Sequence, residues 1–266
     1  MYYLRAGSGS PPLLFVHGFA CSHNDWGRQI GHFRHTNEVI ACDLRGHGMT
    51  PGRPQECTIE HYGGDVAALT VNLDLRSAIL IGHSMGCRVV LEAARLLARA
   101  EGDYRVAGLV LIDGSRTGSG DPAKAEADAR ALLDKTGYPA FAETLFRQMF
   151  FTPSEMADAI IDRAVKSSAE FGPHLWAAMQ RWDAAETEAA LAAVRVPLLA
   201  IQSTKRNAAL QRAMLKPGES SPYLDLITST VPGSKVAVIP DVGHFTQLEA
   251  ADEVNRLIEA FAAACR

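Results

Sequence analysis

The sequence predicts an α/β fold: a mostly parallel sheet flanked by helices, with an inserted helical cap over the carboxyl ends of the strands. Two observations predict it. Short apolar runs at 12–17, 38–42, 77–82, 106–112, 197–202 and 235–239 alternate with helical stretches, the order in which parallel strands and their crossover helices follow one another. That alternation breaks between 114 and 194, where Gly and Ser near 114–120 give way to helix-like segments without a strong strand. The core is assigned to 1–114 and 195–266 and the cap to 115–194. With 266 residues and 47% hydrophobic composition, the chain is long enough to bury one such core with its insertion.

Taken in order, the first residues add an edge strand. Leu13-Leu14-Phe15-Val16 then enters His17-Gly18-Phe19, where the glycine lets the following loop fold back and turns the backbone N–H of Phe19 into an oxyanion donor. His17 reads as a loop organiser bonded to backbone. The run at 38–42 leads into Asp43-Leu44-Arg45-Gly46-His47-Gly48, whose glycines match neither a dinucleotide nor a Walker pattern.

The strand ending in Ile79-Leu80-Ile81 continues as Gly82-His83-Ser84-Met85-Gly86 and then into a helix with Val90, Leu91, Ala94, Leu97 and Ala98 on a helical period. Strand, G-x-S-x-G and helix together make a nucleophile elbow, which needs a serine at the tip of a sharp turn and glycines where two backbones approach closely. Ser84 is the nucleophile, and the N–H of Met85 at the helix start is the other oxyanion donor. The cap carries Phe141, Leu145, Phe146, Met149, Phe150 and Phe151, then Phe171, Leu175, Trp176, Met179 and Trp182, largely at helical spacing. Most are expected in core packing, with Met149, Phe150, Trp176 and Trp182 assigned to a substrate pocket suited to an apolar acyl or aryl group.

The final strand, Val236 to Ile239, precedes Asp241-Val242-Gly243-His244-Phe245 and an amphipathic C-terminal helix. Of nine histidines, His244 alone follows a strand late in a chain that supplies the serine earlier, so it is the base. His83 is too close in sequence to Ser84 to serve. His23, His32, His35, His47, His61 and His174 are given surface or packing roles, and His32-x-x-His35 lacks nearby carboxylate or thiol ligands for a metal.

With these motifs in this order, the chain resembles the α/β-hydrolase superfamily, in its capped, serine esterase-like form, across nearly its whole length. The resemblance makes the Asp43 to Gly48 turn a loop-shaping element. In many relatives the triad acid lies about five residues beyond the strand that here reads Val196 to Ile201. This sequence continues Gln202-Ser203-Thr204-Lys205-Arg206-Asn207 and puts a cation there. Another branch places the acid after the strand that follows the elbow helix, which implies Asp113. Glu219 and Asp225 in the 202–235 loop are the other carboxylates in contention, and a triad without its acid is the third outcome. Arg181 and the Lys205-Arg206 pair are expected in solvent, unless one of them meets a substrate carboxylate.

The function so implied is a serine hydrolase cleaving a small, fairly apolar carboxylic ester or lactone through an acyl-enzyme, with a Ser84, His244 and Asp113 triad and no metal or organic cofactor. A C–C bond hydrolase of ring-cleavage products and a weakly hydrolytic ligand-binding sensor are the alternatives. A net charge of −4 gives no footprint for nucleic acid or an anionic membrane. Without a span of roughly 20 apolar residues or a signal-peptide pattern, the expected location is cytoplasmic. Five cysteines, an odd number without a C-x-x-C, suit reduced thiols better than a disulfide framework.

Overall fold

Strands form on apolar runs at the centre of the sheet and on mixed sequence at its edges and in a small two-stranded pair. In the computed structural model, which describes residues 1–100, 105–167, 169–207 and 211–265, they are Tyr3–Ala6 (β1), Leu13–Val16 (β2), Val39–Cys42 (β3), Ala78–His83 (β4), Val106–Ile112 (β5), Leu198–Gln202 (β6), Thr204–Arg206 (β7), Arg212–Met214 (β8) and Lys235–Val238 (β9). One seven-stranded sheet runs β1-β3-β2-β4-β5-β6-β9. All of its pairings are parallel except that of β1, which lies antiparallel to β3 with Tyr3 opposite Cys42. Strands β2 to β4 are buried at every position, as a parallel sheet covered on both faces requires.

Side chains leave the strands alternately to the two faces, and the core divides accordingly. Leu14 and Val16 join one apolar layer with Ile40, Leu80 and Leu109, while Leu13 and Phe15 join the other with Val39, Ile79 and Val110. The helices that close these layers are Gly27–Phe33 (α1), Ile59–Asn72 (α2), Met85–Ala100 (α3), Pro222–Thr230 (α8), Thr246–Glu249 (α9) and Ala251–Ala264 (α10), with Pro122–Thr136 (α4), Tyr138–Arg147 (α5), Glu155–Ser167 (α6) and Gly172–Ala192 (α7) all falling between β5 and β6. Several of their starts carry side-chain caps. The Asp121 carboxylate accepts from the N–H of Lys124 ahead of Pro122, and the Ser221 hydroxyl accepts from the N–H of Leu224. Among the described residues, no helix is long and apolar enough to cross a membrane.

Two elements depart from the sequence reading. The long 202–235 loop holds the β7–β8 hairpin and α8. Strands of three residues are too short to show a period, and α8 is a nine-residue helix. More important for the site is the order of the strands. From β2 the chain passes to β3 on one side, and β4 returns to the other side of β2, so successive connections part between β2 and β4. A crevice outside the carboxyl ends of the strands at such a switch point is where open α/β sheets hold ligands. Phe19, Ser84 and Asp113 follow the ends of three adjacent strands, β2, β4 and β5.

Candidate active site

Strand β4 ends at His83 and α3 begins at Met85, leaving Ser84 as the sole residue of the turn. Its φ of +55° is a left-handed conformation that a serine adopts only when its surroundings impose it. The flanking glycines explain how the turn closes. A Cβ on Gly82 would stand 2.3 Å from the carbonyl oxygen of Gly86, and one on Gly86 would stand 2.3 Å from that of Val16. The Ser84 N–H donates to the carbonyl of Ile112 at 2.9 Å, which ties the turn to the end of β5.

From Ser84 a line of hydrogen bonds runs inward. The Ser84 Oγ lies 2.8 Å from His244 Nε2, and His244 Nδ1 lies 2.6 Å from Asp113 Oδ2. Asp113 sits just past β5, at φ +45°. Its Oδ1 accepts the N–H groups of Ser203 and Thr204, each at 2.8 Å, and its Oδ2 also accepts the Thr204 hydroxyl at 2.5 Å and Arg212 Nη1 at 3.3 Å. Burial pushes this carboxyl up, and Arg212, the Thr204 hydroxyl and the two N–H groups pull it back. Because all these partners donate, the group they accommodate is a carboxylate. His244 is held well below the usual imidazole range, first by burial and then by Arg212, Arg206 and Arg88, and is neutral at pH 7.

The loop carrying His244 is fixed from several sides. Its N–H donates to the carbonyl of Met149 at 2.8 Å, and its carbonyl accepts His83 Nε2 at 2.8 Å. Gly243 donates to Glu249 at 3.0 Å, and its carbonyl accepts the Ser203 hydroxyl at 2.7 Å. His83 is therefore a prop for the histidine loop, with burial and the neighbouring His244 pressing its ring down to about 3. His17 behaves as read from the sequence: it contacts the Gly18 carbonyl at 2.8 Å and accepts the Leu44 N–H at 3.0 Å. Asp43 accepts the N–H groups of His23 and Met49 at 2.7 and 2.8 Å and so shapes the turn that contains it. Cys21 is buried, and burial together with Asp25 raises its thiol, which leaves it a poor nucleophile.

A small cavity opens over Ser84, lined by Phe19, Met85, Leu145, Met149, Trp176 and Met179 together with Arg88, Ser115, Thr117, Arg206 and Arg212. Neither the N–H of Phe19 nor that of Met85 donates to any acceptor among the described residues, so both are available to an oxygen at Ser84. Met149 and Trp176 stand in the lining, whereas Phe150 and Trp182 do not. Phe150 stacks on Phe245 with ring centroids 4.9 Å apart, and Trp182 is wholly buried. Helical spacing marks an apolar stripe but not which neighbour covers it. Glu219 pairs with Lys205 at 3.0 Å and Asp225 with Ser220 at 2.6 Å, so neither competes with Asp113 for His244. Arg206, expected in solvent, is half-buried in the lining, and Arg181 pairs with Glu60 and Glu126. Arg88 and Arg212 were not legible in advance, since the elbow motif says nothing of the residue at 88 and no motif covers 212.

The sequence matches the profile of the alpha/beta hydrolase family over residues 13–257. It is similar to a non-heme chloroperoxidase of Streptomyces lividans, 46% identical over 102 residues, covering 38% of this chain and 36% of that protein. It is also similar to the dihydrolipoyllysine-residue acetyltransferase component of the acetoin cleaving system of Pseudomonas putida, 28% identical over 266 residues, 98% of this chain and 65% of that one. The chain thus spans between about a third and two thirds of the length of these curated relatives. Among solved structures, the malate-bound thermophilic esterase of Thermogutta terrifontis superposes with a TM-score of 0.79 at 25% identity, covering 99% of this chain and 93% of that one. A sheet of this order, with a strained serine between β4 and α3 and a family match spanning nearly the whole sequence, makes the chain a member of the alpha/beta hydrolase family.

Proposed function

We propose that the protein is a serine hydrolase acting on a small carboxylic ester or lactone through an acyl-enzyme. The observation that carries the reading is the unbroken chain Ser84 Oγ, His244 Nε2, His244 Nδ1, Asp113 Oδ2, with links of 2.8 and 2.6 Å. As Ser84 Oγ bonds to the substrate carbonyl carbon, its proton passes to His244 Nε2. The negative charge that forms on the carbonyl oxygen is met by the N–H groups of Phe19 and Met85. Asp113 holds the imidazole with Nδ1 protonated and stabilises the imidazolium. Collapse expels the alkoxide, which takes the proton from His244. Water, deprotonated by the same nitrogen, then attacks the acyl carbon, releases the acid and restores Ser84. A lactone follows the same course with both products in one molecule.

Supporting this reading, the neutral state of His244 leaves Nε2 free to accept a proton, and the apolar wall of Leu145, Met149, Trp176 and Met179 suits the carbon chain of an acyl group. A fluorophosphonate is expected to label Ser84 once per chain, with the adduct located by mass spectrometry and absent in Ser84→Ala. An adduct on another residue, or none, removes the reading.

A further inference from the structure

The turn that presents the N–H of Phe19 is held in a conformation its own residues disfavour. Residues 18–21 close through the Cys21 N–H on the Gly18 carbonyl at 3.3 Å, with Ala20 third in the turn at φ +56°. Glycine ordinarily fills such a place, because the Cβ of any other residue crowds the following carbonyl there. Contacts from outside the turn therefore decide whether it keeps its shape. Two of them meet the backbone of Ala20. Its N–H donates to Nε2 of His47 at 3.3 Å, and His47 Nδ1 donates to the Arg45 carbonyl at 2.9 Å, which fixes the tautomer. The Ala20 carbonyl accepts Nε of Arg163 at 3.1 Å.

Arg163 belongs to α6 of the cap, and its other donors are committed as well. Nη1 and Nη2 meet the two oxygens of Asp25 at 2.9 and 2.8 Å, a bidentate pairing. Asp25 Oδ2 also accepts the Ser22 N–H at 2.9 Å, which anchors the carboxylate at the start of the short helix His23–Trp26 in the core. A planar guanidinium seated by its fork leaves its Nε no freedom of direction, so Asp25 sets where the Ala20 carbonyl is met. Arg163 does not line the cavity over Ser84; it lines a separate hollow with Ala20, Cys21, His47 and Phe171. Any influence it has on the reaction passes through the loop. We infer that Arg163 is a positioning residue for the oxyanion hole: through this side chain the cap holds the Ala20 turn so that the Phe19 N–H stays aimed at an oxygen on Ser84. The inference rests on the hydrolase reading above. Without the guanidinium the Ala20 carbonyl loses this donor, and the turn relaxes toward the negative φ an alanine prefers, carrying the Phe19 N–H with it.

The experiment measures kcat and KM for 4-nitrophenyl butyrate in the wild type and Arg163→Met, together with the affinities of trifluoromethyl butyl ketone and methyl butyl ketone. With the trifluoromethyl ketone, Ser84 Oγ bonds to the carbonyl carbon, its proton passes to His244 Nε2 and the carbonyl oxygen becomes an oxyanion. Its affinity therefore reports the hole, whereas the methyl ketone binds without forming a bond. Arg163→Met is expected to lower kcat by about tenfold, a part of the hundredfold or more that the loss of an oxyanion donor costs, with KM little changed. The preference for the trifluoromethyl ketone falls by about the same factor, while the methyl ketone binds as it does to the wild type. Arg163→Lys, which reaches the Ala20 carbonyl or Asp25 but lacks the fork that joins them, recovers part of both losses. A lowered Tm with kcat and the ketone preference unchanged makes Arg163 a fastener between cap and core and overturns the inference. If Arg163→Met does not fold, Arg163→Lys is read against the wild type, and an unchanged ketone preference overturns it equally. A wild type that neither cleaves the ester nor prefers the trifluoromethyl ketone removes the hydrolase reading and this inference with it, whereas an active wild type with an indifferent variant removes the inference alone.

Discussion

Both oxygens of Asp113 are filled by donors from the segment 203–212 and by His244. The stretch that in many relatives would carry the acid here serves an acid on the neighbouring strand, supplying two N–H groups, a hydroxyl and a guanidinium. An amide at position 113 cannot satisfy that set. One of its two ends would turn an NH2 toward donors, and it could not stabilise an imidazolium. Asp113→Asn is therefore expected to lower kcat by about a thousandfold or more, with Tm falling in the same preparation. A near-normal kcat with a lowered Tm would reduce Asp113 to a strand-end anchor. At this scale Ser84 and His244 were legible because a motif pins each to a single position. Asp113 was legible only through family resemblance, and Arg212 not at all, since nothing near it in sequence distinguishes a cation that folds inward from one left in water.

Among the elements, α3 and α7 are joined at a buried point. Arg88 on the helix after the serine and Asp183 on the last helix before β6 are 3% and 1% exposed, and Asp183 also accepts the N–H and hydroxyl of Thr117. Removing one member of a buried pair leaves the other charge without compensation, which typically costs about 3–5 kcal/mol. Asp183→Ala is thus expected to lose about that much stability in urea unfolding, and a loss under about 1 kcal/mol would show that water reaches Arg88 and takes over the role. The inner strands of the main sheet could be read because each is an apolar run, β2 to β4 buried at every position. The β7–β8 hairpin could not, and with it went the placement of Arg206 and Arg212, whose inward course is set by pairing Thr204 with Met214.

For the molecule as a whole, acidity sets the limits of stability. Burial presses His17 down to about 4 and His83 to about 3, against 6.5 for an unhindered imidazole. Above pH 6.5 neither the folded nor the unfolded chain protonates these rings, and they contribute nothing to pH dependence. Between pH 6.5 and 4 the unfolded chain takes up protons that the folded one refuses, so each ring costs about 1 kcal/mol per pH unit, a penalty that levels off below the folded values. Tm is expected to be flat above pH 7 and to drop steeply from pH 6 to 4. A Tm that stays level across that interval would mean that these rings are solvated. Coupling between cap and core has a second outcome. Met149 presents its side chain to the cavity and its carbonyl to the N–H of His244, so the wall that meets the guest is also the bracket that holds the base. A guest too wide for the chamber pushes on that bracket and moves the proton acceptor away from the serine. On the proposed mechanism, bulk is then expected to be screened at the bond-making step rather than at the doorway, with an oversized ester binding as an inhibitor and not reacting.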